Sequence, residues 1–347
     1  MKDITILLTC CNGLISPSQI KCLRSVKERR INIVGVDMNE LGVGSRKVDI
    51  FYKVPPPKSA SHINKIFDIC KNNNVDFIIP ASEEESLSLV VNKEKFHKIN
   101  TKIITNTREV LEKSIDKGNF LKYIKQKGLP CARFMIPKNI DEFEKACHKL
   151  GYPKEPVATK PRLGSGNRGF RIIQNKTKKG DLLLKHKPGT PYTTLKDIKE
   201  ALTSEEVTTF PGIVLMEYLP GQDYSVDILA KNGDALIIVP KKRIVAVPGL
   251  SIVGQVDLNQ EVINSARSIC KAFSFNYNVN IQFRFSKDNK LYPYEANTRV
   301  AGSIAACQAA GANLFYYGIK LALGEDIPKA SIKNGTRMMR YYKEYYE

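Results

Sequence analysis

At 347 residues, 42% of them hydrophobic, the chain can bury one large core or two to three modest ones, which excludes a fibrous or disordered protein. The formal charge of +19 by itself leaves nucleic acid, acidic membrane surfaces and anionic small molecules open as partners. No apolar stretch approaches the roughly 18 residues of a membrane span. MKDITILLTCCNG has too short an apolar core for a cleaved leader, so a cytoplasmic address is expected.

Lysines are spread over the whole chain without an aromatic-basic platform, which favours a solvated lysine-rich surface, with room for a polyanion site such as one for a nucleoside triphosphate. Cys10, Cys11, Cys22, Cys70, Cys131, Cys147, Cys270 and Cys307 lack paired spacings and are expected to be reduced and mostly buried. His62, His97, His148 and His186 stand alone, giving no support for a zinc site or a histidine triad.

Ile4 to Thr9 reads as a strand, Ser16-Pro17 as the start of a helix reaching about Arg29, and Ile31 to Val36 as a second strand. Strand, helix, strand opens a doubly wound parallel sheet. Asp37 stands where a ribose-binding acid would, but the turn Cys10-Cys11-Asn12-Gly13-Leu14 has one glycine and lacks the dinucleotide fingerprint. A helix over about Ser61 to Asn72, a buried strand Val75 to Pro80 leading into Ala81-Ser82-Glu83-Glu84-Glu85, and Ile99 to Thr105 complete this unit. A helical region from Thr107, with a fresh cap at Ser114 or Asp116, runs to Gly128. Next come a helix Asp141 to Leu150, a strand Val157 to Lys160, a glycine-rich turn and a strand Gly169 to Ile173. The basic segment Lys178 to Tyr192 is expected to be a mobile connection. Strands around Ile213 to Tyr218, Tyr224 to Ala230 and Leu236 to Pro240, a helix Asn259 to Phe273 and a final hairpin follow.

In that hairpin a two-residue turn at Asp288-Asn289 would set Gln282 opposite Glu295. Asn297 and Arg299 would share their face, while Tyr292, Tyr294 and Ala296 would join Ile281, Phe283 and Phe285 on the other. Clustered oxygens of this kind suit a hard cation, although any hairpin with one wet face shows the same alternation. In ATKPRLGSGNRGF, Lys160 interrupts an apolar strand and calls for an anionic partner. Gly164, Gly166 and Gly169 would let backbone N–H groups approach that partner. In LMEYLPGQDYSVDIL, backbone groups from Glu217 to Leu219 could pair with a planar base and Asp223 could accept from ribose hydroxyls.

Taken in order, these segments resemble the ATP-grasp superfamily, and within it one synthetase half of the carbamoyl-phosphate synthetase large subunit. The resemblance covers nearly the whole chain. It implies an α/β fold, α+β in its second half: a doubly wound parallel-sheet pre-ATP-grasp domain (1–106), a linking helix and small lobe with a glycine-rich lid (107–212), and a large lobe with a metal-binding hairpin (213–347). It implies ATP with Mg²⁺ or Mn²⁺ as cofactors. Lys117 would hold nucleotide phosphates or base, and Lys160, Gly164, Ser165 and Gly166 the phosphates, with Glu217, Tyr218 and Leu219 at adenine and Asp223 at ribose. Gln282, Glu295 and Asn297 would bind metal, and Arg299 with Lys160 would act on the reacting phosphoryl group. Arg243 and Ser303 would approach the acceptor substrate.

Thr298 stands where the family often has proline, and Gln282 where a carboxylate is common. With neither a second synthetase copy nor a glutaminase partner in the chain, carbamoyl phosphate synthesis is not expected. The activity implied is an ATP-dependent carboxylate–amine, or carboxylate–thiol, ligation through an acyl phosphate, with a phosphotransferase as the alternative. An NAD(P)-dependent oxidoreductase and a nucleic-acid-binding protein rank behind both. Small-molecule carboxylates and amines are the expected partners, without nucleic acid or membrane, and a homodimer is compatible with this reading.

Overall fold

The computed structural model describes residues 1–164, 166–175, 190–247 and 249–347. Five parallel strands, β1 (Ile4–Leu8), β2 (Ile31–Asp37), β3 (Ile50–Lys53), β4 (Phe77–Ile79) and β5 (Lys102–Ile103), form a first sheet of order β3-β2-β1-β4-β5. Ile4, Ile6 and Leu8 enter one core cluster and Leu7 another, so β1 is buried on both faces, as strands of a parallel sheet are. The order reverses at β1, which places the crevice outside the carboxyl ends of β1 and β4.

The first helix spans Ser16–Arg24, shorter than expected; Ile15 is its N-cap, without a side-chain bond, and Ser16 instead donates to the Cys10 carbonyl at 2.7 Å. A helix at Glu83–Val91 was not anticipated, although Ser82-Glu83-Glu84-Glu85 is a capping-box sequence. Ser82 Oγ accepts from the Glu85 N–H, and Glu85 turns its carboxylate back to the Ser82 hydroxyl at 2.9 Å and to buried Thr9 at 2.6 Å.

A second sheet, order β6-β10-β7-β8-β9, holds β6 (Phe134–Met135), β7 (Val157–Pro161), β8 (Arg171–Ile173), β9 (Tyr192–Thr193) and β10 (Ile213–Glu217). The third sheet runs β15-β14-β11-β12-β13-β16, from β11 (Asp223–Lys231), β12 (Asp234–Val247), β13 (Leu250–Val256), β14 (Tyr277–Phe285), β15 (Leu291–Asn297) and β16 (Arg337–Met339). On β11, Tyr224, Val226 and Ile228 join a core cluster with the helices Lys117–Gln126 and Gln260–Phe273. The alternate residues Asp223, Ser225 and Asp227 give the sheet a second, polar face. Farther along the same side, Leu229 and Val239 pack with the helices Ile304–Ala309 and Leu314–Leu323 and with the first sheet. The second and third sheets converge over the polar face.

All eight cysteines are free thiols, six of them buried. No helix among the described residues is long and apolar enough to cross a membrane. Ser165, residues 178–189 of the expected mobile connection, and Pro248 lie outside the described residues.

Candidate nucleotide and metal site

Lys160 occupies β7, where Val157 and Thr159 turn into the protein and Lys160 turns towards the third sheet. Its Nζ donates to Glu295 Oε2 at 3.2 Å, and the two side chains are 11% and 15% exposed. The anionic partner that an apolar strand demands for its lysine comes from a residue 135 positions away on β15. Lys117, first residue of its helix, donates from Nζ to the Gly164 carbonyl at 2.7 Å. Asp116, one of the two caps anticipated, accepts from the Gly118 and Asn119 N–H groups. Burial pushes the Lys117 ammonium down from its ordinary pKa, against the pull of Glu295. Gly164 and Gly166 hold φ values of +106° and +72° with open space around them, so backbone conformation rather than crowding calls for glycine there. Gly249, in the turn after β12, meets this loop: a Cβ on it would lie 2.9 Å from the Gly166 carbonyl oxygen.

The hairpin departs from the expected turn and still reaches the expected pairing. Its loop is three residues, Lys287-Asp288-Asn289, closed by Ser286 and Lys290, with Asn289 at φ +55°. Near the turn Phe285 therefore faces Leu291, and Phe283 faces Pro293. A β-bulge then restores the register, so that Gln282 lies opposite Glu295 and Asn280 opposite Asn297. The apolar face takes Leu291 and Pro293; Tyr292 lies opposite Arg284, and Tyr294 is the extra residue of the bulge, so neither tyrosine pairs with the phenylalanines as strict alternation had required.

Burial alone would raise the Glu295 carboxyl, but the Lys160 and Lys117 ammoniums outweigh it and hold that carboxyl below its ordinary pKa. Asn297 is buried, and its Oδ1 accepts from Arg299 Nη2 at 3.1 Å. Among the described residues no group of three or more His, Cys, Asp or Glu could hold a metal. A divalent cation here would rest on the Glu295 carboxylate, the Gln282 and Asn297 amide oxygens, and phosphate or water. That donor set fits Mg²⁺, which binds few protein oxygens and keeps other ligands.

Two further stretches behave differently from expectation. The Glu217 N–H already donates to the Arg133 carbonyl, and its carboxylate accepts from Arg133 N at 2.7 Å and Nε at 3.1 Å. Tyr218 lies beneath Arg284, 5.8 Å from guanidinium carbon to ring centroid, and Leu219 is buried in the core. Asp223 is engaged by the Tyr294 hydroxyl at 2.9 Å and by Arg243 Nη1 at 3.1 Å, so Arg243 already has a carboxylate partner within the chain. Ser303 precedes the short helix Ile304–Ala309, but its Oγ accepts from Lys241 Nζ at 2.8 Å rather than capping the helix.

Lys160, Lys117, Gly164 and Glu295 thus converge, with Gln282 opposite Glu295, Asn297 on the same face of β15, and Arg299 bonded to Asn297. Sequence reasoning missed three participants. Glu83, at the start of the unanticipated helix, places Oε1 3.1 Å from Arg299 Nε and brings the first sheet's unit into the site. Tyr294 sets its ring centroid 4.6 Å from Lys160 Nζ. Lys241 pairs with Asp227 behind them. The capping box could have signalled Glu83; nothing local signals the other two.

Residues 209–344 match the family model described as "ATP-grasp in the biosynthetic pathway with Ter operon", and residues 7–104 match "PylC-like, N-terminal domain". The carbamoyl phosphate synthase large chain of Thermotoga petrophila is 24% identical over 233 residues, covering 65% of this chain and 20% of that protein. The corresponding protein of Bifidobacterium animalis subsp. lactis is 23% identical over 239 residues, with the same coverage. The chain thus spans about a fifth of the length of the curated relatives it matches. Among solved structures, an ADP complex of N5-carboxyaminoimidazole ribonucleotide synthetase superposes with a TM-score of 0.70 at 15% identity, covering 96% of this chain and 79% of that one. The biotin carboxylase domain of Hydrogenobacter thermophilus 2-oxoglutarate carboxylase, in complex with MgADP, ADP and bicarbonate, gives 0.71 at 18% identity, covering 97% and 74%. The fold, the two matched segments and these relatives agree: the chain has the ATP-grasp fold, carries an ATP-grasp domain behind a PylC-like N-terminal domain, and resembles one synthetase half of the carbamoyl phosphate synthase large chain.

Proposed function

We propose that this chain is an ATP-dependent carboxylate–amine ligase acting on small molecules through an acyl phosphate. The observation that carries the reading is the meeting of Lys160 and Glu295 at 3.2 Å, because it joins the lysine strand and glycine loop of one sheet to the oxygen-bearing ribbon of another. Two similar proteins bound to ADP support a nucleotide in that cleft. Residues 1–106 would contribute to the acceptor side, 107–212 the phosphate-covering lobe, and 213–347 the metal-binding lobe. Gln282, Glu295 and Asn297 would hold Mg²⁺, which would supply charge neutralisation at the phosphates.

A substrate carboxylate oxygen attacks the γ-phosphorus, ADP departs, and an amine then displaces phosphate from the acyl carbon. Lys160 and Arg299 offset the negative charge that develops on the phosphoryl oxygens. Lys117 fixes the glycine loop through Gly164, and the loop, resting against Gly249, excludes water from a hydrolysable intermediate. With Asp223 occupied by Tyr294 and Arg243, its contact with ribose would require those partners to share it.

The test is acceptor-dependent ADP formation across pooled carboxylates and amines, followed by mass measurement of the product. A mass equal to acid plus amine less water supports the ligase. A stable phosphoproduct without any amine requirement identifies a phosphotransferase instead.

A further inference from the structure

An alternating β-ribbon would turn Tyr294 to the side of Phe283, into the core. The bulge between Gln282 and Phe283 instead brings Tyr294 to the polar side beside Glu295. Its hydroxyl donates to Asp223 Oδ1 at 2.9 Å and accepts from Arg243 Nη1 at 3.4 Å, so both of its hydrogen-bonding capacities are used. Arg243 is itself fixed by Asp223 Oδ2 at 3.1 Å and Ser251 Oγ at 3.0 Å. The ring pinned in this way lies 4.6 Å from Lys160 Nζ, within cation–π range.

Lys160 therefore has supports of two kinds, the Glu295 carboxylate and aromatic rings, with the Phe170 ring farther off than Tyr294 at 5.9 Å. The Glu295 carboxylate would be drawn towards a divalent cation when nucleotide enters. The Tyr294 ring has no such alternative, because its hydroxyl is held from behind. We propose that Tyr294 is a positioning residue, seating the Lys160 ammonium for nucleotide phosphate once Glu295 turns to metal. This inference rests on the nucleotide-site reading above and extends it to a residue outside the expected ligand set.

The experiment measures binding of a nonhydrolysable ATP analogue with Mg²⁺ by calorimetry, on the full chain. Tyr294→Leu removes ring and hydroxyl, and should weaken binding about 2- to 30-fold, the range of a cation–π contact. Tyr294→Phe keeps the ring and leaves Asp223 and Arg243 paired with each other; it should recover most of that loss. In a Lys160→Ala background Tyr294→Leu should cost nothing further, since the effect passes through Lys160. Circular dichroism and unfolding midpoints establish that each variant is folded, and a misfolded Leu variant leaves Phe against wild type as the comparison, with a loss smaller than 30-fold expected. An equal loss with and without Lys160 would reduce Tyr294 to a packing residue and overturn the inference. Tight binding by wild type and unchanged binding by the Leu variant would overturn it while sparing the nucleotide site. Absence of binding to wild type would overturn both.

Discussion

Of the lysine–carboxylate pairs that touch the third sheet, two differ sharply in how completely they are enclosed. Lys241 on β12 pairs with Asp227 on the neighbouring β11, with side chains 4% and 3% exposed. Asp227 also accepts from Asn280 Nδ2 at 2.8 Å and Cys307 Sγ at 3.1 Å, while Lys241 donates to Ser303 Oγ at 2.8 Å. Burial works against the charged Lys241, yet the Asp227 carboxylate outweighs it and the Lys241 pKa is raised. Lys160 and Glu295 come from different sheets, remain partly exposed and lie where those two sheets meet. The sealed pair is a completed network that ties the helix after Ser303 to the sheet. The second pair is joined by a single hydrogen bond between residues that can each take another partner. The same chemistry thus serves architecture where every bond is made within the chain and, in the proposed function, ligand binding where room is left.

The sharpest way to break this contrast is to remove one member of the sealed pair. Lys241→Met leaves Asp227 buried without its cation and should cost about 3–5 kcal/mol in urea unfolding. Replacing both partners, as Lys241→Met with Asp227→Leu, should restore much of that loss, because the uncompensated charge is gone. A single-variant cost near zero would mean the pair is not structural. At the second pair, Lys160→Ala should lower acceptor-dependent ADP formation by about 100- to 1,000-fold, equivalent to the loss of one transition-state donor, while the unfolding midpoint stays near wild type. A large drop in midpoint would erase the distinction.

The smallest effect concerns pH. The Glu295 carboxyl is held below its ordinary value of 4.5, so its contribution to stability is fully present above that value. It is lost as pH falls through the lowered value. Thermal midpoints measured across the acid range should therefore fall less steeply for Glu295→Gln than for wild type, with the two curves parallel above about pH 6. Parallel curves throughout would show that the Lys160 contact has no energetic weight.

Much of the scaffold was legible because it is local or periodic. Short apolar runs marked β1, β2 and β11, and a cap at Ser114 or Asp116 announced the helix that carries Lys117. Lys160 and Glu295 were legible for a related reason: a cation in an apolar strand and a carboxylate at every-second-residue spacing both look misplaced until paired. The rest depended on distance in the chain. Lys241, Lys242 and Arg243 read as the end of a strand at Pro240, whereas β12 continues to Val247 because Asp227, Asp257 and Asp223 receive those charges. Tyr294 was assigned to the core because a bulge has no signature in the residues that form it. Glu83 required knowing that the carboxyl end of β4 faces Arg299.

The hairpin's loop and bulge carry a consequence for length variation. Set against a two-residue turn at Asp288-Asn289, the third loop residue moves the pairing by one and the extra residue Tyr294 moves it back, so Gln282 meets Glu295. Deleting one loop residue would leave Ser286 opposite Lys290, and deleting Tyr294 would leave Gln282 opposite Glu295 on an unbulged ladder, so neither change alone displaces that pair. Loop length and bulge can therefore vary independently among relatives while Gln282 and Glu295 stay paired; losing the bulge removes Tyr294, and with it the ring beside Lys160.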